Sequence, residues 1–114
     1  MIPEELSINK IQNIYQNLAP YVIKTPFIHG WSSINEILCT NAIFKCEFLQ
    51  NAGTFKARGA INNVLNLTDL QMKSGVTAVS AGNHAIATSY VAHKFSLRNK
   101  IFIYESANQY RIDK

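Results

Sequence analysis

An apolar residue recurs every three or four positions near the start of the chain, at Ile8, Ile11, Tyr15 and Leu18. This spacing predicts an amphipathic helix whose apolar stripe packs on a core. Ser7 is placed to cap the helix, and Pro20 to end it. We expect this helix to serve packing and no chemistry.

Short elements are predicted next. Pro26 keeps the preceding residue out of the helical region, so residues 25–27 should be extended. Further on, apolar Phe44, Cys46 and Phe48 alternate with charged residues, which is typical of a strand with one buried face.

A second helical stripe follows that strand, at Ala57, Ala60, Ile61, Val64 and Leu65. The stripe predicts a helix lying against a sheet. Gly59 falls inside this helix, where glycine costs about 1 kcal/mol relative to alanine. We therefore expect a close-packed neighbour at Gly59 that needs the missing side chain.

The last part of the chain reads as a strand, a helix and a strand. Residues 68–75 are interpreted as a polar connection that ends at Gly75. Val76–Val79 is an uninterrupted apolar-rich run, which suits a parallel strand covered on both faces. A helix over 85–95 and a strand over 101–104 complete a βαβ unit, so the predicted fold class is α/β with a parallel sheet.

Length and composition narrow the class of protein. At 114 residues and 47% hydrophobic residues, the chain has at most one domain's worth of core, and its apolar runs are too short to cross a bilayer. An acidic start without a signal pattern favours a cytoplasmic protein. Two isolated cysteines lack metal-type spacing. The net charge of +4 is spread along the chain, so we expect neither a nucleic-acid nor a membrane partner.

One lysine stands at a chemically unusual place. Thr54 follows a glycine turn and precedes the second helical stripe, so it is the expected N-cap and Lys56 falls in the first turn. The positive end of the helix and the neighbouring Arg58 both disfavour a charged amine, which predicts a lowered pKa for Lys56 and reactivity toward aldehydes. The alternative is an ordinary surface lysine.

A second motif favours a reactive Lys56 over an ordinary surface lysine. Residues 54–60 read Thr-Phe-Lys-Ala-Arg-Gly-Ala, and residues 80–84 read Ser-Ala-Gly-Asn-His after a short strand. Together the two motifs resemble those of the pyridoxal-phosphate-dependent threonine dehydratase and serine racemase family, which has Ser where this chain has Thr54. The resemblance implies the three-layer α/β architecture of fold type II, truncated. It also implies a short helix after the Thr25-Pro26 dipeptide, for which Ser32–Leu38 is the candidate. It places about residues 1–70 at the start of a larger lobe and about 71–114 at the start of a smaller one.

The resemblance also implies roles for individual residues. Lys56 would carry the pyridoxal 5′-phosphate as a Schiff base and remove the substrate's α-proton, and Phe55 would pack against the pyridine ring. Asn83 would bind the cofactor's phenolic oxygen. The substrate carboxylate would be received by the loop of Ser80, Ala81, Gly82, Asn83 and His84. A strand-to-helix turn suits this task because its free N–H groups bind anions. For His84 alone, a structural turn histidine is the alternative.

Two functions remain open from the sequence. The chain resembles only about the first third of a family member, without its glycine-rich phosphate cradle or pyridine-nitrogen partner. In the first interpretation it is the N-terminal part of an ammonia-lyase that converts L-threonine or L-serine to a 2-oxo acid, and it acts as a homo-oligomer or with the missing C-terminal part. In the second it is a non-catalytic remnant that serves as a binding module. Ala81 stands where the racemase branch has a serine that serves as a second acid–base, which predicts elimination.

Overall fold

A computed structural model describes residues 7–113 of the chain. Within that range the elements are helices α1 to α6 and strands β1 to β4. In chain order they are α1 (Ile8–Leu18), β1 (Phe27–His29), α2 (Ser32–Leu38), β2 (Ile43–Lys45), α3 (Lys56–Leu65), α4 (Asp69–Ser74), β3 (Val76–Val79), α5 (Asn83–Lys94), β4 (Asn99–Phe102) and α6 (Gln109–Ile112). Two short 3₁₀ helices, Glu47–Leu49 and Asn51–Gly53, join β2 to α3.

The first two helices form over the predicted residues. The Ser7 hydroxyl accepts a hydrogen bond from the Lys10 amide at 3.3 Å, and α1 ends at Leu18, two residues before Pro20. Helix α2 has the predicted bounds. Of the α1 stripe, however, Leu18 is buried whereas Ile8 and Ile11 stay exposed in the described chain. The helix is therefore anchored to the core by its last turn.

Strands β1 and β2 form an antiparallel pair in which Phe27 lies opposite Lys45 and His29 opposite Ile43. The predicted strand through Phe48 is wrong at its end, because β2 stops at Lys45 and Phe48 lies in a 3₁₀ helix. Cys46 is buried as expected, but Phe48 is exposed. The chain turns here because Glu47 faces inward to an ion pair, described below.

Strands β3 and β4 form a parallel pair and are connected by α5, which confirms the βαβ unit. Strand β4 begins at Asn99, two residues before its predicted start. Asn99 lies opposite Val76, the first residue of β3. Residues 68–75 are mostly helical, contrary to the expected polar connection. Thr68 and Gln71 form a capping box that starts α4.

The core lies where α3 packs against α5 and α1, around the buried side chains of Leu18, Ile61, Val64 and Val91. On α5 the residues buried with Val91 are small: Ala85, Ala87, Thr88 and Ala92. Tyr90 and the C-cap residue Phe95 are partly buried and pack against this cluster, and Ile86 is also partly buried. The core therefore fixes the relative position of the two helices that follow the site motifs.

Large apolar side chains remain exposed on both sheets. Val79 of β3 is 82% exposed, so the expectation of a strand covered on both faces is not met within the described residues. On the antiparallel pair, Phe27 and Ile43 are exposed, as is the neighbouring Trp31. None of the helices in the described range has the length and apolar character needed to cross a membrane.

Candidate active site

The lysine motif lies on a loop held in an unusual backbone conformation. Ala52 and Gly53 both have positive φ angles, of 60° and 64°, which turn the chain from the 3₁₀ helix toward α3. Thr54 is buried, and its hydroxyl accepts a hydrogen bond from the Lys56 amide at 3.3 Å. Lys56 lies in the first turn of α3, as predicted, but the N-cap prediction is wrong by one residue, because α3 begins at Lys56 and its N-cap residue is Phe55 instead of Thr54.

Lys56 and Phe55 are both exposed side chains. The Lys56 ammonium lies 5.3 Å from the centroid of the Phe55 ring, within the range of a cation–π contact. No acidic residue stands in the first turn of α3. The amine is therefore accessible, next to an aromatic face and at the positive end of a helix.

Arg58 is neutralised by a partner that the sequence analysis missed. Its Nε and Nη2 atoms donate to the two carboxylate oxygens of Glu47, each at 2.8 Å. The pair is largely shielded from solvent. The expected repulsion between Arg58 and the Lys56 amine is thus offset by Glu47. Nothing local in the sequence pairs these two residues, which lie eleven positions apart.

Further side chains clamp residues 21–25 against the loop that leads to Lys56. The buried Gln50 side chain accepts from the Ile23 amide at 2.9 Å and donates to the Ile23 carbonyl at 2.8 Å. The side-chain Nδ2 of Asn51 donates to the Tyr21 carbonyl at 2.9 Å. Buried Thr25 donates its hydroxyl to Glu47. Polar groups therefore hold the lysine loop in place.

The hydrogen bonds from Arg58 lower the pKa of Glu47 from 4.5 to about 2, with help from the Thr25 hydroxyl and the nearby Lys45 charge. A carboxyl whose pKa is lower in the native state stabilises the fold above its ordinary pKa, and the stabilisation is lost as the pH falls. We predict that the free energy of unfolding declines by about 1 to 2 kcal/mol between pH 4.5 and pH 2 because of Glu47, allowing for partial solvent screening.

Urea unfolding across that pH range measures this contribution. Glu47→Gln should flatten the decline, whereas Glu36→Gln, at an exposed position on α2, should leave it unchanged. If the free energy of unfolding declined equally in Glu47→Gln and in the unsubstituted chain, the ion pair would not stabilise the fold.

The second motif forms the turn from β3 into α5. The Ser80 amide donates to the Phe102 carbonyl at 3.0 Å, which extends the parallel pairing by one residue. The Ser80 hydroxyl accepts from the Gly82 amide at 3.2 Å. Gly82 is the N-cap of α5 and provides no side-chain cap, and Asn83 and His84 are exposed at the start of the helix. The loop thus offers first-turn N–H groups without a capping side chain, an arrangement that suits an anion.

A cavity of about 170 Å³ connects this loop to the lysine helix. His84 lines it together with Thr88 and Val91 of α5, and Ala60 and Val64 line it from α3. The α3 residues of the cavity lie one to two turns beyond Lys56. The two motifs therefore occupy the starts of two helices that pack against each other, with His84 facing the space between them.

The expected close neighbour of Gly59 is absent from the described residues. A Cβ atom built on Gly59 meets no heavy atom within 4 Å, and the residue is exposed. The prediction of tight packing at Gly59 is therefore wrong for the described chain. Gly59 shares the exposed side of α3 with Lys56, so this side of the helix is open.

The α/β fold presents an accessible amine at the start of α3 and a turn without a capping side chain at the start of the neighbouring helix α5. The model of the family described as "pyridoxal-phosphate dependent enzyme" matches residues 18–114. The chain belongs to this family, whose members depend on pyridoxal phosphate.

Curated relatives include both dehydratases and racemases. Phenylserine dehydratase from Ralstonia pickettii is 37% identical over 105 residues, which cover 92% of this chain and 32% of that protein. Serine racemase from Oryza sativa subsp. indica is 38% identical over 93% of this chain and 31% of that protein. A catabolic L-threonine dehydratase from Staphylococcus aureus is 34% identical over 91% and 30%, respectively. The chain thus spans about a third of the length of these relatives.

Solved structures show the same fold. Maize serine racemase superposes with a TM-score of 0.83 at 36% identity, covering 94% of this chain and 32% of that one. A pyridoxal 5′-phosphate-dependent aspartate racemase superposes with a TM-score of 0.84 at 26% identity over 98% of this chain and 36% of that one. The fold class predicted from the sequence, that of the fold type II enzymes, is confirmed. The antiparallel pair β1–β2 was not foreseen.

Proposed function

We propose that this chain is the lysine-bearing part of a pyridoxal-phosphate-dependent ammonia-lyase that converts L-threonine or L-serine to a 2-oxo acid and ammonia. One observation carries the proposal: an accessible Lys56 at the start of α3 stands beside an aromatic ring, and the packed neighbouring helix α5 begins with an uncapped turn. The comparisons supply the family and its cofactor, while its dehydratases and racemases leave the reaction open.

The donor set suits pyridoxal phosphate. The Lys56 amine matches its aldehyde, the Phe55 ring offers a face to the pyridine, and the exposed Asn83 amide can donate to the phenolic oxygen. The residues that would hold the cofactor are therefore Lys56, Phe55 and Asn83. Within the described range we assign no residue to the phosphate, which is the cofactor's main charged anchor.

When bound, the cofactor supplies an electron sink for the charge that develops at the substrate's α-carbon. Lys56 Nζ is the attachment point and, once released, the base that accepts the α-proton. The loop of Ser80, Ala81, Gly82, Asn83 and His84 holds the substrate carboxylate at the start of α5 through the backbone N–H groups of Ala81, Asn83 and His84, because those of Ser80 and Gly82 donate to the Phe102 carbonyl and the Ser80 hydroxyl. This orients the α-hydrogen relative to Lys56, which is the positioning that such a proton transfer requires.

We further propose that residues up to about 70 belong to a larger lobe and those from about 71 to a smaller one. In this view the chain is active only when completed by the segment that follows the matching region in its relatives. We call that combination the completed enzyme. Its partners are an amino-acid substrate and either a second copy or the completing segment. The exposed apolar side chains on both sheets support this proposal, because large apolar faces usually mark a covering partner.

We predict that the isolated chain forms no 2-oxo acid from L-threonine or L-serine above the rate of free pyridoxal phosphate, and that it self-associates through its exposed apolar faces. Coupled 2-oxo acid assays and light scattering test this. A chimera in which the chain replaces the matching third of the Staphylococcus aureus threonine dehydratase is the positive control. Turnover by the isolated chain would contradict the prediction, and an inactive but folded chimera would favour the alternative of a non-catalytic binding module.

The reaction type is predicted to depend on Ala81. Racemisation needs proton exchange on both faces of the α-carbon, whereas β-elimination needs removal only on the Lys56 side. Alanine carries no proton to donate, and the side chains of adjacent loop residues such as Ser80 and Ala81 usually point in different directions. We therefore expect the completed enzyme to form 2-oxo acid about 10-fold faster than D-serine, or more.

Chiral chromatography of unreacted L-serine in deuterated water measures both rates. Ala81→Ser should raise the formation of deuterated D-serine, whereas Ala42→Ser, at a similarly half-buried position before β2, should not. Racemisation as fast as elimination in the unsubstituted enzyme would refute this assignment.

A further inference from the structure

The ion pair of Glu47 and Arg58 lies on the far side of α3 from Lys56. Successive helix residues are rotated by about 100°, so the side chains at positions 56 and 58 leave the helix in nearly opposite directions. Ala57, between them, is fully buried in the core. The burial of Ala57 and the ion pair of Arg58 therefore fix the rotation of the first turn of α3. Lys56 lies on the remaining side of the helix.

The ion pair joins three separate segments of the chain. Glu47 accepts from Arg58 Nε and Nη2, each at 2.8 Å, and from the hydroxyl of Thr25. Thr25 is 2% exposed, so the carboxylate is tied to a buried group. Arg58 Nη2 also donates to the Ile23 carbonyl at 3.3 Å. The start of α3 is thereby fastened to the turn after β2 and to the segment before β1.

Local support for this first turn is otherwise slight. The N-cap residue Phe55 provides no side-chain hydrogen bond, and the turn contains no acidic residue. The Thr54 hydroxyl contact with the Lys56 amide is long, at 3.3 Å. Without the ion pair, the rotation of the turn that carries Lys56 would rest mainly on the burial of Ala57.

We propose that Glu47 and Arg58 are positioning residues that set the direction of the Lys56 amine by fixing the rotation of the first turn of α3. The inference rests on the proposed role of Lys56. Positioning of this kind requires the planar, two-point contact of arginine with a carboxylate. A lysine at position 58 keeps the charge but cannot form that contact.

Arg58→Lys in the completed enzyme tests the inference. A small misplacement of a reacting group costs up to about 100-fold in rate, so kcat should fall about 10- to 100-fold while KM for L-threonine changes less than about 3-fold. Arg98→Lys is the matched control, since Arg98 donates to the Lys73 carbonyl at 2.7 Å away from the site. This control should leave both constants unchanged.

A second measurement needs no activity. Lysines of the chain are reductively methylated with a ¹³C label, and the Lys56 resonance is followed by NMR. It should shift or broaden in Arg58→Lys and stay in place in Arg98→Lys, while the Lys94 resonance stays in place in both. A fixed Lys56 resonance together with an unchanged kcat would overturn the inference.

The two measurements separate this inference from the proposed function. If the completed enzyme is inactive for reasons unrelated to the ion pair, a shifted Lys56 resonance still supports positioning and a fixed one still refutes it. Should Arg58→Lys fail to fold, Glu47→Gln takes its place, because it keeps the shape of the side chain and removes only its charge. If neither variant folds, the pair serves folding, and the positioning role is refuted.

Discussion

A Lys56→Ala variant of the completed enzyme is expected to form 2-oxo acid at least about 10³-fold more slowly than the unsubstituted enzyme. The amine is both the attachment point of the cofactor and the base for the α-proton, and each function alone contributes factors of this order. Lys56 is exposed, so its removal should leave the fold intact. Steady-state assays with L-threonine, with circular dichroism as a check of folding, measure the loss.

Two controls sharpen this prediction. Lys73→Ala removes an exposed lysine from α4 and should keep full activity. A small primary amine added to Lys56→Ala should restore part of the lost rate, because it can accept the proton in place of the missing side chain. Activity of Lys56→Ala within tenfold of the unsubstituted enzyme would mean that another residue is the base.

The second large effect is expected at Gly75, which ends α4 and leads into β3. Its φ angle is +88°, a backbone conformation that residues other than glycine rarely adopt. A Cβ at this position would lie 2.3 Å from the Arg98 carbonyl oxygen, the same oxygen that accepts from the Val76 amide at 2.9 Å. Gly75→Ala should therefore displace β4 from β3 and cost about 3 kcal/mol or more.

Gly59→Ala is the matched control, with the same added methyl group in a helical and open position. It should be neutral or stabilise the chain by up to about 1 kcal/mol, because alanine favours the helix. Urea unfolding of both variants gives the comparison. A Gly75→Ala chain as stable as Gly59→Ala would show that the junction between α4 and β3 is not as tight as described.

The parts of the fold that depend on local pattern could be predicted from the sequence. Periodicity and capping residues were enough for α1, the apolar run Val76–Val79 was enough for β3, and α2 followed from the family resemblance. Helix α4 could also have been found, because Thr68 and Gln71 have the spacing of a capping box within a stretch dismissed as polar.

The remaining features depend on contacts between distant positions. The alternation through Phe48 imitates a strand, but the inward contacts of Glu47 with Arg58 and Thr25 end the strand early. The pairing of β1 with β2 and the binding of Gln50 to Ile23 likewise join segments far apart in sequence. No local pattern encodes such pairs. The site motifs could be recognised from the sequence, whereas the polar network that holds them in place could not. The cytoplasmic location stays a prediction.

The most direct test of the account is to identify the lysine that holds the cofactor. The completed enzyme is incubated with pyridoxal phosphate, reduced with borohydride and digested, and the labelled peptides are mapped by mass spectrometry. The account predicts a pyridoxyl group on Lys56, in the peptide that contains Thr54 and Phe55, with the other lysines unlabelled at stoichiometric cofactor. A label on any other lysine, with Lys56 unmodified, would contradict it.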